Sequence, residues 1–271
     1  MAPRRTTIRS PNDEFQLLSS LLTNRKQRRR QRRFLVHGVK PIQVALERGW
    51  RFESVLTPRG RELSRWAQDT IERSGAERHV ELEPGLFAQL AEKTDPVELV
   101  AVLHLPGDDL RRIEVGTRAL VVVCDRLGSP GNLGSIIRSA NAFGADGVVV
   151  TGHAADLYDP QTIRASVGAL FATACAHEGS PRECVRWLRE ACPEATILAT
   201  TARRGTPLEL VDLTRPVALV FGSETDGLSS AWYELCDDVA TIPTAGVASS
   251  LNVAAAASIF LNDVRRQRWG S

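Results

Sequence analysis

Residues with the chemistry of an active site occur in three short segments of the chain, each of which follows an apolar run. They are Asn132 and Arg138 in the first segment, Glu224 in the second, and Ser250 and Asn252 in the third. Side chains of these types orient a substrate, move a proton or donate hydrogen bonds to a developing negative charge. The histidines and cysteines are scattered instead, so the sequence predicts no metal site.

The first segment, Val123–Thr151, is an apolar run, a glycine-rich turn and a helical pattern that leads to a second apolar run. Its glycines are spaced G-x-x-G-x-x-G, so it matches neither the P-loop pattern nor the dinucleotide fingerprint G-x-G-x-x-G. On the predicted helix, Ile136, Ala140 and Phe143 share one face, and Arg138 lies about 200° round from Ile136. Arg138 is therefore expected to point away from the apolar face, where an arginine can also have a purely structural role.

The second segment, Val220–Ser230, places Glu224 between Gly222 and Gly227. Glycines at these positions allow a sharp backbone bend or the close approach of a ligand. The same stretch also suits an ordinary strand-to-helix turn in which Ser229 is the N-cap, and that interpretation stays open.

The third segment, Ile242–Leu261, is a tight loop followed by an alanine-rich helix. Ser249 or Ser250 is expected to cap this last helix, with Asn252 in its first turn. A capped core helix is thus a sufficient structural explanation of the segment taken alone.

The second half of the chain alternates apolar strands with helical segments. Strands are predicted at 119–124, 147–151, 196–200, 217–221 and 239–242, and helices at 134–143, 160–175, 181–191, 229–236 and about 250–268. Continuous apolar strands belong in a parallel sheet that is buried on both faces, so the fold class is α/β. Ligands of such sheets bind beyond the carboxyl ends of the strands, where the three segments lie.

The first half of the chain is predicted to form a smaller α/β domain over residues 34–105. Its strands are expected at 34–38, 51–57, 78–83 and 98–105, and its helices at 40–48, 61–73 and 84–91. Residues 1–33 are interpreted as a basic arm with one amphipathic helix, Glu14–Leu22, and the polar stretch 106–118 as a linker. The second domain then covers residues 119–271.

Charge is distributed unevenly along the 271 residues. Residues 1–118 carry 22 Lys/Arg and 16 Asp/Glu, a net charge of +6, whereas residues 119–271 carry 12 and 16, a net charge of −4. The run Arg25–Arg33 has seven cations in nine residues and no acid. Such a run is suited to phosphate contacts and favours a nucleic-acid partner, although it also fits a solvated helical face.

Composition narrows the class of protein further. No run of 18 apolar residues is present, and the first residues lack the apolar core of a secretory signal. The five cysteines form no C-x-x-C pair, which is typical of reduced thiols in the cytoplasm. The sequence therefore predicts a cytoplasmic protein without a membrane partner.

Taken together, and in this order at strand ends, the three segments resemble the signature motifs of the SpoU–TrmH branch of the SPOUT RNA methyltransferases. The resemblance covers residues 119–265 and rests on Asn132 and Arg138, on Gly222, Glu224 and Gly227, and on Ile242, Pro243, Ser250, Leu251 and Asn252. Residues 34–104 are similar, more loosely, to the ribosomal-protein-like substrate-binding domain that often precedes this domain. The first strand of that domain usually ends in Glu-Gly, whereas His37–Gly38 stands here, so His37 is assigned no role.

The resemblance implies methyl transfer from S-adenosyl-L-methionine to a ribose 2′-hydroxyl, without a metal, by a domain with a trefoil knot. It implies that the cofactor is bound in the knot by the backbone of Gly222, Ile242 and Leu251, with Thr200 or Thr201 lining the same pocket. It also implies a homodimer in which the first-motif arginine, here Arg138, serves the cofactor site of the partner.

The resemblance further implies that Asn132, Glu224, Ser250 and Asn252 orient Arg138 and the ribose. Two accounts of Arg138 remain open, because an arginine side chain stays protonated up to about pH 12. In one account the substrate phosphate polarises the guanidinium and a proton is relayed. In the other account the guanidinium stays cationic and stabilises the developing alkoxide.

The separate N-terminal domain favours rRNA over tRNA as the substrate. A tRNA 2′-O-methyltransferase is the first alternative, and a non-catalytic RNA-binding or ribosome-associated protein of the same fold is the second. A different nucleotide-binding α/β enzyme is the third, and the missing phosphate-binding motifs argue against it.

Overall fold

The structure, a computed structural model, describes residues 3–91, 97–247 and 250–269. It divides into two compact units. Unit 1 contains the chain up to Pro106 together with Tyr158–Ala172, and unit 2 contains Gly107–Leu157 together with the chain from Thr173 onward.

The elements up to the first strand of unit 2 are β1 (Arg4–Ile8), α1 (Asp13–Thr23), α2 (Arg25–Gln31), β2 (Arg33–His37), α3 (Val39–Glu47), β3 (Phe52–Pro58), α4 (Arg65–Arg73), β4 (Arg78–Leu82), α5 (Pro84–Leu90), β5 (Val100–His104) and β6 (Leu120–Asp125). The remaining elements are α6 (Pro130–Ala142), β7 (Gly147–Thr151), α7 (Pro160–Ser166), α8 (Ala169–Ala172), β8 (Ala174–Glu178), α9 (Pro181–Ala191), β9 (Thr196–Thr201), β10 (Thr206–Pro207), β11 (Val217–Phe221), α10 (Ser230–Leu235), β12 (Asp238–Thr241) and α11 (Val253–Trp269).

Unit 1 is built on a five-stranded sheet in the order β1-β4-β3-β5-β2, in which β5 runs antiparallel to both of its neighbours. One face is covered by α1 and α5, whose apolar residues include Phe15, Leu18 and Leu90. The i, i+3 spacing along α1 turns one stripe of the helix to the sheet, and burial of that stripe stabilises the helix.

An aromatic cluster ties Tyr158–Ala172 to the rest of unit 1. The ring of Phe34 lies 4.8 Å from that of Tyr158, and the ring of Trp50 lies 5.1 Å from that of Phe171. The indole N–H of Trp50 also donates a hydrogen bond of 2.9 Å to the carbonyl of Phe171. The chain therefore returns to unit 1 after it has begun unit 2.

The prediction that residues 1–33 form a basic arm was wrong, because β1, α1 and α2 are part of unit 1. Strand β1 pairs with β4 in parallel at the edge of the sheet. Within α2, the side chain of Arg28 is buried, donates to the carbonyls of Leu21 and Leu22 at 2.8 and 3.1 Å, and forms an ion pair with Asp159 at 3.1 Å. Arg28 therefore has a structural role in unit 1.

Unit 2 contains a seven-stranded sheet in the order β10-β12-β9-β11-β6-β7-β8, and all of its strands are parallel. The central strands are fully buried, as their continuous apolar runs predicted. The predicted α/β class with a parallel sheet is confirmed. The trefoil knot stays a prediction.

Helix α11 is anchored at the amino edge of this sheet by a buried arginine. The guanidinium of Arg268 donates to the carbonyls of Leu213, Arg118 and Ala119 at 2.9, 2.6 and 3.0 Å, and also to that of Arg215. Those carbonyls precede β6 and β11, so one side chain joins the last helix to the beginning of two central strands.

Three local predictions were wrong. The single helix predicted at 160–175 is two short helices and a strand, because Val167 and Gly168 adopt positive φ values of 50° and 88° that end α7. Strands β1, β8 and β10 were not predicted. In the predicted linker 106–118, Ile113 is buried in the core of unit 2, so that stretch is not simply an exposed connection. Among the described residues, no helix has the length and apolarity needed to cross a membrane.

Candidate active site

The loops after β6, β11 and β12 are joined by side-chain hydrogen bonds at the carboxyl edge of the parallel sheet. The amide nitrogen of Asn132 donates to a carboxylate oxygen of Glu224 at 2.7 Å. The amide nitrogen of Asn252 donates to the amide oxygen of Asn132 at 3.1 Å. The second carboxylate oxygen of Glu224 accepts from the backbone N–H of Gly128 at 3.3 Å. One residue from each predicted segment thus meets the others.

The orientation of these amides follows from the helix that begins at Val253. The amide oxygen of Asn252 accepts hydrogen bonds from the backbone N–H groups of Ala254 and Ala255 at 2.9 and 3.3 Å. Its nitrogen must therefore face Asn132, which in turn directs the nitrogen of Asn132 to the carboxylate. Asn252 is the N-cap of α11, so the expectation that Ser250 caps the helix was wrong; Ser249 lies outside the described residues.

Helix packing brings the two asparagines together. Asn132 lies in the first turn of α6, where Ser129 is the N-cap and accepts from the Asn132 N–H at 3.2 Å. Farther along the same helices, the hydroxyls of Ser139 and Ser258 are hydrogen-bonded at 2.8 Å. Contacts at both positions show that α6 and α11 lie side by side with their N-termini at the same edge.

The loop after β11 is a tight turn that only glycine can make. Ser223 and Gly227 exchange two backbone hydrogen bonds of 3.0 Å, and Gly227 has a φ of 70°. A Cβ atom added to Gly222 would lie 2.2 Å from the carbonyl carbon of Gly227. Glycine is therefore required at position 222 and favoured at position 227, and Glu224 is presented at the exposed tip of the turn.

A buried carboxylate that the sequence interpretation missed holds this loop in place. Asp125, which is only 1% exposed, accepts from the backbone N–H of Ser229 at 2.8 Å, the hydroxyl of Thr151 at 3.1 Å and Nε of Arg126 at 3.2 Å. The guanidinium of Arg126 also donates to the carbonyl of Gly227 at 3.2 Å. We call these five residues the Asp125 network. An acid directly at the end of an apolar strand was the available signal.

Arg138 and Ser250 do not join the hydrogen-bonded cluster. Arg138 is exposed, as its helical position predicted, and its guanidinium has no hydrogen bond or ion pair with any residue in 3–91, 97–247 or 250–269. Ser250 is exposed as well. Both side chains are therefore available to a bound substrate or a second subunit.

The residues predicted to bind the cofactor lie at the ends of three adjacent strands. Thr200 and Thr201 end β9, Gly222 follows β11 and Ile242 follows β12. The hydroxyl of Thr200 donates to the carbonyl of Val220 at 2.9 Å and so joins two of these strands. Leu251, in the loop after β12, is exposed.

The loops after β11 and β12 contain no cation, whereas the loop after β9, between them in the sheet, contains Arg203 and Arg204. Residues 222–229 contain Glu224 and Asp226 and no cation, and residues 242–252 carry no charge. The acids of the β11 loop are compatible with a sulfonium or ammonium group, and the arginines of the β9 loop with an anionic group. Burial raises the pKa of the Cys175 thiol to about 12, so that it supplies no thiolate nucleophile.

Comparison with known proteins agrees with this arrangement. A sequence model of the SpoU rRNA Methylase family matches residues 119–262, more than half of the chain, and one of the SpoU L30e-like domain matches residues 12–101. The chain belongs to the SpoU rRNA methylase family.

Individual relatives in the family are similar over nearly the full chain. A 23S rRNA (uridine(2479)-2′-O)-methyltransferase of Streptomyces viridochromogenes is 45% identical over 98% of this chain and 94% of its own length. The 23S rRNA (guanosine(2553)-2′-O)-methyltransferase RlmP of Bacillus subtilis is 28% identical over 90% and 93%. The crystal structure of the SpoU methyltransferase AviRb of Streptomyces viridochromogenes with AdoMet aligns with a TM-score of 0.90 at 44% identity, over 95% of this chain and 98% of that one.

Proposed function

We propose that this SpoU-family protein transfers a methyl group from S-adenosyl-L-methionine to a ribose 2′-hydroxyl of 23S rRNA. The observation that carries the proposal is the hydrogen-bonded series Glu224–Asn132–Asn252, which joins three motif loops at the carboxyl edge of the sheet. Two relatives, both named as 23S rRNA 2′-O-methyltransferases, support the substrate class.

The chemistry requires an oriented oxygen and a means of stabilising its charge. A ribose hydroxyl is a poor nucleophile at neutral pH, whereas the bound cofactor supplies a methyl group on an electrophilic sulfonium. Asn132, Asn252 and Ser250 orient the ribose, and Glu224 holds the amide of Asn132. As the oxygen takes the methyl group, its own proton passes to solvent water. Arg138 stays cationic, because an arginine side chain is protonated up to about pH 12, and it stabilises the developing alkoxide.

The cofactor would be held by the ends of β9, β11 and β12. The backbone of Gly222, Ile242 and Leu251 binds its adenine and methionine parts, and Thr200 and Thr201 line the same pocket. The meeting of these strand ends at the carboxyl edge of a parallel sheet supports this placement, because ligands of such sheets bind there.

The partners follow from exposed charge. Lys26, Arg29 and Arg30 of α2 are exposed and contact RNA phosphates, whereas Arg28 is excluded from this role by its burial. The protein acts as a homodimer in which Arg138 of one subunit reaches the cofactor site of the other. The exposure of Arg138 outside the Asn132 cluster supports this arrangement.

Methyl transfer from labelled S-adenosyl-L-methionine to deproteinised 23S rRNA, 16S rRNA and bulk tRNA tests the proposal. We expect label in 23S rRNA alone, at a position that resists alkali, and a loss of about a thousandfold in Arg138→Ala. Arg215→Ala, an exposed arginine at the amino edge of the sheet, is the matched control and should be unaffected. Label on a base, or in tRNA alone, would contradict the proposal.

The dimer is tested by mixing inactive variants. Arg138→Ala and Asn252→Ala are each expected to be inactive, and their mixture should regain about a quarter of wild-type activity if the two residues act across subunits. A mixture without activity, from subunits shown to exchange, would refute the shared site.

A further inference from the structure

Two arginines outside the matched motifs lie on the same edge of the sheet as the candidate active site. Arg203 and Arg204 belong to the loop 202–205 that follows β9. In the strand order β12-β9-β11-β6, β9 lies between the strands that carry the third and second motif loops. Because all four strands are parallel, their loops emerge at one edge. Neighbouring strands are about 4.8 Å apart, so β9 is about 10 Å from β6, which leads to Asn132.

The loop that carries these arginines is held at both ends. The hydroxyl of Thr201 accepts from the backbone N–H of Arg203 at 3.1 Å. At the other end, a Cβ atom added to Gly205 would lie 2.9 Å from the carbonyl oxygen of Val239, so the backbone is pressed against β12. The following strand β10 then pairs with β12. The two side chains are thus presented from a short, fixed connection rather than from a long loop.

Arg203 and Arg204 are both exposed. Neither forms a hydrogen bond or an ion pair with another side chain in the described part of the chain. Residues 119–271 carry four more acids than bases, so this half of the protein contains enough carboxylates to pair with every arginine. Two adjacent unpaired arginines in an acidic domain have no evident role in the fold, and stabilising the fold does not explain their position.

We infer that Arg203 and Arg204 bind backbone phosphates of the RNA next to the nucleotide that is methylated. The inference rests on the proposed function, since it assumes an RNA substrate at this edge. A guanidinium binds a phosphate through two parallel hydrogen bonds, so the pair would fix the strand in register with Asn132 without reading its sequence. A domain with a net charge of −4 needs such local cations to admit a polyanion to its active site.

The test is filter binding of deproteinised 23S rRNA by the full chain over a series of KCl concentrations. We expect Arg203→Gln and Arg204→Gln each to weaken binding about threefold, and each to lower the slope of log affinity against log salt by about 0.7–0.9. The double variant should lose about tenfold, with the same change in the KM for RNA. The affinity for S-adenosyl-L-methionine, measured by calorimetry, should stay at the wild-type value.

Arg215→Gln is the matched control, because it removes one exposed arginine from the opposite edge of the same sheet and should leave the salt slope unchanged. Wild-type slope and affinity in the double variant would overturn the inference. A loss of cofactor affinity would also overturn it, by placing the arginines at the carboxylate of the cofactor instead. Absence of methyl transfer by the wild type would reject the proposed function alone, since RNA binding is measured separately.

Discussion

Replacement of Asp125 tests whether one buried carboxylate holds the loop that presents Glu224. The carboxylate accepts three hydrogen bonds, one from Thr151 on the first oxygen and two from Ser229 and Arg126 on the second. Asp125→Asn keeps the size of the side chain. Its new NH₂ group is best placed against the Thr151 hydroxyl, which can rotate to accept, and the other two bonds then remain without the charge.

The size of the effect follows from these bonds. A hydrogen bond to a charged group contributes about 1.5–3 kcal/mol to the free energy of unfolding and a neutral one about 0.5–1.5 kcal/mol. In Asp125→Asn the Ser229 bond becomes neutral and the ion pair with the partly exposed Arg126 is lost, so the free energy of unfolding should fall by about 1–2 kcal/mol. Asp125→Ala removes the acceptor of all three hydrogen bonds and leaves the Arg126 guanidinium only its bond to the carbonyl of Gly227. We expect it to lower the free energy of unfolding by about 2–4 kcal/mol, because the Ser229 N–H and the Thr151 hydroxyl lose their acceptor, whereas Arg126 is partly exposed to water.

Urea unfolding of the full chain, combined with hydrogen exchange of the Ser229 amide, measures both the stability and the local effect. Exchange should accelerate in both variants, most in Asp125→Ala, and methyl transfer should fall with it. Asp226→Asn, an exposed acid on the same loop, is the control and should change stability by less than about 0.5 kcal/mol. Wild-type exchange at Ser229 in Asp125→Ala, together with an unfolding midpoint equal to that of the control, would refute the reasoning.

Three further predictions concern other parts of the chain. Gly222→Ala should weaken S-adenosyl-L-methionine binding at least tenfold by calorimetry, because its Cβ would overlap the backbone of its own loop; Gly179→Ala, where a Cβ meets nothing within 4 Å, should bind normally. Burial lowers the pKa of His79 below the usual 6.5, so the unfolded chain binds its proton more readily and the stability of unit 1 should fall as the pH drops below 6.5. Urea unfolding at several pH values between 7.5 and 5.5 measures this. A His79→Gln variant whose free energy of unfolding falls as steeply with pH as that of the wild type would contradict the prediction. Arg268→Met leaves several backbone carbonyls without a hydrogen-bond donor, so it should lower the free energy of unfolding measured in urea by about 3–5 kcal/mol. The exposed Arg266→Met should lower it by less than about 1 kcal/mol.

The elements that could be predicted from the sequence are those whose own residues show the hydrophobic pattern of the element. Continuous apolar runs predicted β6, β7 and β11, since only a strand buried on both faces tolerates them. Strand β8 reads Ala-Cys-Ala-His-Glu and has no β-branched residue, so it is a strand only because β7 pairs with it. Strand β1 is similarly polar and depends on its pairing with β4. Tertiary pairing decided both cases.

In the candidate site, too, the sequence indicated the residue types but not the contacts between residues far apart in the chain. The types of Asn132, Glu224 and Asn252 were recognised, but their contacts join residues 92 and 120 positions apart, which no local pattern encodes. Arg28 was grouped with its charged neighbours because its partner, Asp159, lies 131 residues away. Asp125 was overlooked although its place at the end of an apolar strand was a signal, because two of its three donors lie 26 and 104 residues away.

The return of Tyr158–Ala172 to unit 1 has a consequence for the order of folding during synthesis. The ribosome makes β6, α6 and β7 of unit 2 before it makes Tyr158 and Phe171, which complete the aromatic cluster around Phe34. Unit 1 therefore cannot bury that cluster as soon as its own five strands have emerged. Nascent chains arrested after residue 106 should remain less compact than chains arrested well beyond residue 172, and the two units should mature together rather than in sequence.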